Sequence, residues 1–132
     1  LIGLDTNVLV RFLVRDDANQ SKRAASLIGD AVRAGDALYV SDIVLCETVW
    51  VLAGSYGFDR GEISDTLGDL LRARHLSFSN TDRIGRALRC YRSGAADFAD
   101  YLIREHAVGA GCDSIATFDR ALLRERGFIA PR

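Results

Sequence analysis

Methionine is absent from the 132 residues, so the initiator is missing and trimming of the first residues is expected. Cysteine is scarce and odd in number. Cys46, Cys90 and Cys112 stand far apart with no CxxC pair, which excludes a zinc knuckle and points to reduced, buried thiols in a cytoplasmic protein. Lys22 is the only lysine, so chemistry that depends on a lysine has a single candidate. No apolar run approaches the roughly 20 residues that span a bilayer. Asp5 and Arg11 interrupt the greasy opening, which excludes a signal peptide and a membrane anchor. An excess of charge is missing too: 17 basic residues face 18 acidic ones, for a net charge of -1. A purely electrostatic nucleic-acid binder is thereby excluded.

What is present is the balance of a soluble globular protein, with 48% hydrophobic and 27% charged residues. The length suits one domain, residues 1–132, that folds without staples. All the basic residues except Lys22 are arginine, whose planar fork can grip a phosphate. Most of the acids are aspartate, which suits caps, turns and hard-metal sites better than helix interiors.

Apolar spacing outlines an alternation of strands and helices. Leu1 to Val10 opens with the apolar run Leu-Ile-Gly-Leu, which reads as a short buried strand ending at the polar triplet Asp5-Thr6-Asn7, before Val-Leu-Val. Helical stripes follow over 19–33, over 42–52 with Gly54 and Gly57 as breakers, over 60–73, from Thr81 or Asp82 to 92, and over 97–107. Strands are expected at 37–40, 75–79 and 112–118, then a helix over 119–126 and a terminal stub at Phe128-Ile129. Strands alternating with helices mean an α/β domain with a mainly parallel sheet.

In such a sheet, ligands bind beyond the carboxyl ends of the strands. Asp5, Glu47, Asp100 and Asp119 fall where that edge should be. Each aspartate has a plainer explanation as a helix cap or a first-turn acid. Glu47 resists one: its helical neighbours are almost all apolar, which places it on an inward face, and no basic residue stands nearby in sequence. A buried carboxylate needs a neutralising partner, either a distant arginine or a cation. Several carboxylates without matching cations suit Mg²⁺ or Mn²⁺.

Four segments carry a resemblance to a known family. They are Leu-Asp5-Thr6-Asn7-Val-Leu-Val-Arg, Cys-Glu47-Thr-Val-Trp-Val-Leu, Ala-Asp97-Phe-Ala-Asp100-Tyr-Leu-Ile and Gly-Cys112-Asp-Ser-Ile-Ala-Thr117-Phe-Asp119-Arg. Together, in this order along the whole chain, they resemble the PIN-domain ribonucleases, and in particular the VapC-type toxins of toxin–antitoxin pairs. The resemblance implies a three-layer α/β/α domain around a mainly parallel sheet of about five strands. It implies metal-dependent hydrolysis of RNA phosphodiester bonds by Asp5, Glu47, Asp100 and Asp119. Asp5 and Asp100 would hold Mg²⁺, or Mn²⁺ as the alternative, with Glu47 joining through water. Asn7 and Thr117 would orient the acids, and Asp97 is read as a helix cap first and a supporting acid second. The family's partners are expectations as well: an RNA substrate, a cognate antitoxin protein and a second copy of the chain, with no membrane.

Arg11, Arg15 and Arg120, with Arg83 and Arg86, are candidates for holding RNA phosphates, against the plainer reading of a solvated surface. His75 and His106 lack any local acid partner and are read as bystanders. A phosphotransfer site built on Asp5 is disfavoured, because Lys22 lies early in the first long helix, the wrong place for a phosphoryl-steadying lysine. The alternative outside enzymology is a catalytically silent PIN-like scaffold that binds RNA or protein.

Overall fold

The computed structural model describes all residues from Leu1 to Arg132. The chain forms five short strands and six α-helices, and contacts divide it into two compact units, Leu1–Ser79 and Asn80–Arg132. The first unit holds strands β1 (Ile2–Gly3), β2 (Leu38–Val40) and β3 (Leu76–Phe78) in one parallel sheet, in that order. Helices α1 (Thr6–Leu13) and α2 (Ala18–Ala34) connect β1 to β2, and α3 (Asp42–Tyr56) and α4 (Arg60–Arg72) connect β2 to β3. Leu38 aligns with Ile2 on one side and Leu76 on the other.

The second unit holds α5 (Thr81–Ser93), α6 (Phe98–Gly109), β4 (Ile115–Ala116), a 3₁₀ turn at Leu122–Arg124, and β5 (Phe128–Ile129). Strands β4 and β5 also pair in parallel. The α/β class and the parallel strands are therefore as expected. A single five-stranded sheet is not: hydrogen bonding groups the strands as three and two. Strands of two or three residues make few ladder bonds, so each sheet ends quickly.

Local chemistry explains the element boundaries. Asp5 caps α1 by accepting from the Thr6 N–H at 2.8 Å. The polar triplet thus opens a helix, and the apolar residues after it, Leu9 and Val10, are buried on that helix rather than in a strand. Ser41 caps α3 by accepting from Val44 N–H at 3.1 Å. That helix runs through Gly54 and stops only at Gly57, whose φ of +67° is the left-handed conformation glycine adopts freely. Asp59 and Glu62 form a reciprocal capping box on α4. The helix expected over 119–126 shrinks to the 3₁₀ turn, because Asp119 spends its carboxylate on the Ala121 N–H at 2.9 Å and closes a local turn.

Each unit has its own core. In the first, Leu9, Leu38, Val40, Leu45, Leu52, Ile63 and Leu67 are at most 1% exposed. In the second, Phe98 and Tyr101 are equally buried, and Phe98 meets the edge of Tyr91 at a ring separation of 5.9 Å. Tyr101 also organises the polar side of that core. Its hydroxyl donates to Glu125 Oε1 at 2.9 Å and accepts from the Ala96 N–H at 3.2 Å. Gly94 permits this arrangement, since a Cβ there would lie 1.9 Å from that hydroxyl and 2.7 Å from the Cys90 carbonyl.

Gly94→Ala therefore forces Tyr101 off its partners. We expect a loss of about 1–3 kcal/mol of stability, the usual range for overpacking, read as a lower urea midpoint. An unchanged midpoint would mean that the Tyr101 contacts contribute nothing.

Candidate active site

The carboxyl edge of the first sheet gathers polar side chains because every strand there ends where a helix cap begins. Asp5 follows β1, Ser41 and Asp42 follow β2, and Ser79 follows β3. The Ser79 hydroxyl donates to Asp42 Oδ1 at 2.7 Å, tying the ends of β2 and β3 together.

Thr6 joins the two acids of this unit. Its N–H donates to Asp5 Oδ1 at 2.8 Å, and its hydroxyl donates to Glu47 Oε1 at 2.9 Å. One residue thus fixes a carboxylate at the start of α1 and another in the second turn of α3. Both acids are exposed. The inward face expected for Glu47 is corrected here. α3 is apolar around most of its circumference, and its buried side carries Val44, Leu45, Thr48, Val49 and Leu52. Ile43, Glu47 and Trp50, spaced four and three residues apart, share the opposite face, with Ile43 and Trp50 72% and 54% exposed.

The second unit brings Asp97 and Asp119 within electrostatic reach of Asp100. Asp97 caps α6, accepting from the Phe98 N–H at 2.8 Å, while Asp100 Oδ2 accepts from the Asp97 N–H at 3.2 Å. Partial burial pushes the Asp100 carboxyl above its ordinary value of 3.8, and the charges of Asp97 and Asp119 push the same way, against the hydrogen bond from Asp97. Asp119 is held by its own turn, in which the Thr117 hydroxyl accepts from the Asp119 N–H at 3.0 Å.

None of Asp5, Glu47, Asp100 and Asp119 forms an ion pair with an arginine or with Lys22. No group of three or more carboxylate, imidazole or thiol side chains converges as a closed metal cage. An oxygen-rich set of one or two carboxylates at a time still fits Mg²⁺, which keeps several waters and relies on substrate phosphates for further ligands. The donor chemistry is therefore that of a hard divalent cation.

The sequence profile of the PIN domain matches residues 2–128. The chain belongs to the PIN domain family. No curated protein matches it. PIN domains are typically metal-dependent nucleases.

The basic residues behave differently from one another. Arg11 is clamped by Gln20, Asp16 and Tyr56, at 2.7, 3.3 and 2.9 Å. Arg86 is paired with Glu105. Arg15 and Arg120 are exposed. Sequence reasoning passed over Thr6, whose role is visible only once α1 and α3 are adjacent. It also passed over Trp50 and Phe118, the exposed aromatic residues of this chain. Trp50 lies one turn beyond Glu47, and Phe118 immediately precedes Asp119. No helix is long and apolar enough to cross a membrane.

A raised carboxyl pKa means that folding favours the protonated form of Asp100. The resulting penalty is absent below the ordinary value of 3.8 and fully present above the raised folded value. We therefore expect Asp100→Asn to raise the melting temperature at pH 7 in the absence of divalent cations, and the gain to vanish as pH falls below 3.8. A variant less stable than wild type at pH 7 would show that the carboxylate is not held at a cost.

Proposed function

We propose that this PIN domain is a metal-dependent endoribonuclease that hydrolyses RNA phosphodiester bonds, with residues 1–132 acting as one catalytic domain. The observation that carries this reading is the retention of Asp5, Glu47, Asp100 and Asp119 without cationic partners, in a chain whose match to the family spans residues 2–128. A divalent cation, Mg²⁺ or Mn²⁺, supplies polarisation of the scissile phosphate and acidification of the attacking water when bound.

The residues of the chain supply position and charge. Asp5 offers one carboxylate oxygen outward while the other is anchored on the Thr6 N–H. Glu47 is held in place by the Thr6 hydroxyl, so Thr6 acts as a positioning residue for both acids. Asp100, whose ionisation is opposed by partial burial and by the charges of Asp97 and Asp119, is the acid of the second unit that would hold such a cation, and the cation would offset that repulsion. Asp119, fixed by Thr117 and Ala121, adds negative potential, and Asp97 holds the first turn of α6 in register. Asn7, expected to orient the acids, lies two residues beyond Asp5 and bonds neither Asp5 nor Glu47, the part that Thr6 plays instead. Arg11, Arg15 and Arg120 are the candidate phosphate grips. Trp50 and Phe118 support RNA as the substrate, because an exposed ring beside each acidic group can stack on an unpaired base.

The finer biological assignment is the toxin of a toxin–antitoxin pair, with an antitoxin protein and a second copy of the chain as partners. It follows from the four sequence segments quoted above. A silent scaffold is the competing reading, but it gives no reason to hold Asp100 where burial and neighbouring charges oppose its ionisation.

End-labelled structured RNA incubated with Mg²⁺ should be cut at discrete positions by the wild-type chain. Cleavage should disappear in EDTA and fall about 100- to 1,000-fold in Asp5→Asn, the range for losing a key electrostatic group. Asparagine is as good a cap as aspartate, so this variant should keep its fold. Equal cutting by Asp5→Asn would assign the activity to a contaminant. Thr6→Val should lower turnover about 10- to 100-fold, as for loss of a supporting hydrogen bond, with little change in KM. A change confined to KM would place Thr6 on the substrate instead.

A further inference from the structure

Between α1 and α2 lies a cavity of about 390 Å³, lined by Asn7, Val8, Arg11, Gln20, Arg23, Ala24 and Leu27. It lies within the size range of small-molecule sites, about 300–1,000 Å³. Its lining includes two guanidinium groups and no acid. Val8, Ala24 and Leu27 add apolar surface to the lining, and Asn7 and Gln20 add amide groups, with both helices contributing to each kind. Arg11 is built into place. Its Nε donates to Gln20 Oε1 at 2.7 Å, and its Nη1 donates to Tyr56 Oη at 2.9 Å and Asp16 Oδ1 at 3.3 Å. Tyr56 in turn donates to Asp16 Oδ2 at 2.7 Å, closing a ring of contacts that fixes the guanidinium plane. The Nη2 group is left without a protein partner. Arg23 is exposed and forms no ion pair.

We propose that this cavity is a nucleotide-binding subsite, taking the phosphate of one ribonucleotide between Arg11 and Arg23 and its base against Val8, Ala24 and Leu27. It rests on the ribonuclease reading to the extent that the nucleotide belongs to the RNA being cut, with Asn7 standing two residues from Asp5. The mixed lining favours a nucleotide over a bare anion, since an inorganic phosphate would leave the apolar surface unused. It favours a nucleotide over an acidic peptide because a planar base can lie on the apolar surface of Val8, Ala24 and Leu27 while its edge hydrogen-bonds to the amides of Asn7 and Gln20.

The test is an NMR titration of the isotope-labelled full chain in EDTA, so that nothing is cleaved. Probes are adenosine 5′-monophosphate, uridine 5′-monophosphate, inorganic phosphate, adenosine and a short unstructured oligoribonucleotide. The nucleotides should shift the amides of Asn7, Gln20, Arg23 and Leu27 in a saturable way, about tenfold more tightly than phosphate or adenosine alone. Arg23→Ala should weaken that binding about tenfold, the worth of one charge-assisted hydrogen bond, and Arg23→Lys should restore part of it. The oligoribonucleotide should move the same resonances. Nucleotide binding no tighter than phosphate, shifts that leave these residues untouched, or indifference to Arg23→Ala would each overturn the subsite. Mononucleotide binding without a response to the oligoribonucleotide would overturn its assignment to RNA. A chain that binds nucleotides here yet never cuts RNA with Mg²⁺ would keep the subsite and discard the ribonuclease reading, so the two fail separately.

Discussion

Asp100 is held against its own charge: partial burial and the nearby charges of Asp97 and Asp119 keep its carboxyl above the ordinary value. The fold holds its aspartates with hydrogen bonds to the backbone. Asp97 and Asp100 exchange hydrogen bonds with the first turn of α6, Asp119 is spent on a turn, and Asp5 caps α1. Each acid is thereby fixed by backbone N–H groups, which steady the negative charge without neutralising it.

The same economy joins structure to function at Thr6. Helix α1 begins three residues after β1 ends, and α3 begins two residues after β2 ends. Parallel pairing sets those two helix starts at the same edge of the sheet. The Thr6 hydroxyl then reaches Glu47 across 41 positions of sequence. The rigid part of the unit lies beneath, in the packing of Leu9, Leu38, Val40, Leu45 and Leu52, so the acids stand on elements that cannot drift.

Periodicity made most of the fold legible. The stripes over 19–33, 42–52, 60–73 and 97–107 each correspond to a helix within a few residues, and the parallel α/β class follows from their alternation with strands. Cap chemistry was the harder part. Asp5-Thr6-Asn7 looked like the end of a strand because apolar residues flank it on both sides, yet Asp5 opens a helix and leaves β1 only Ile2–Gly3. Asp119 looked like the cap of a long helix and instead closes a short turn. Glu47 was placed inward because α3 is apolar almost all round, and only the packing shows that Ile43 and Trp50 share its exposed face. The positioning role of Thr6 was not legible, since its partner Glu47 lies 41 positions away. Nor was the cavity, which depends on how the consecutive helices α1 and α2 pack.

The proposed chemistry turns on Asp5 and Glu47, joined through Thr6, helping to hold a divalent cation. Substoichiometric Mn²⁺ tests this most directly, because this paramagnetic ion broadens the NMR signals of nearby nuclei. The expected result is saturable broadening around both Asp5 and Glu47 that Asp5→Asn weakens at both positions. No saturable broadening at either acid, or broadening at Glu47 that is indifferent to Asp5→Asn, would contradict it.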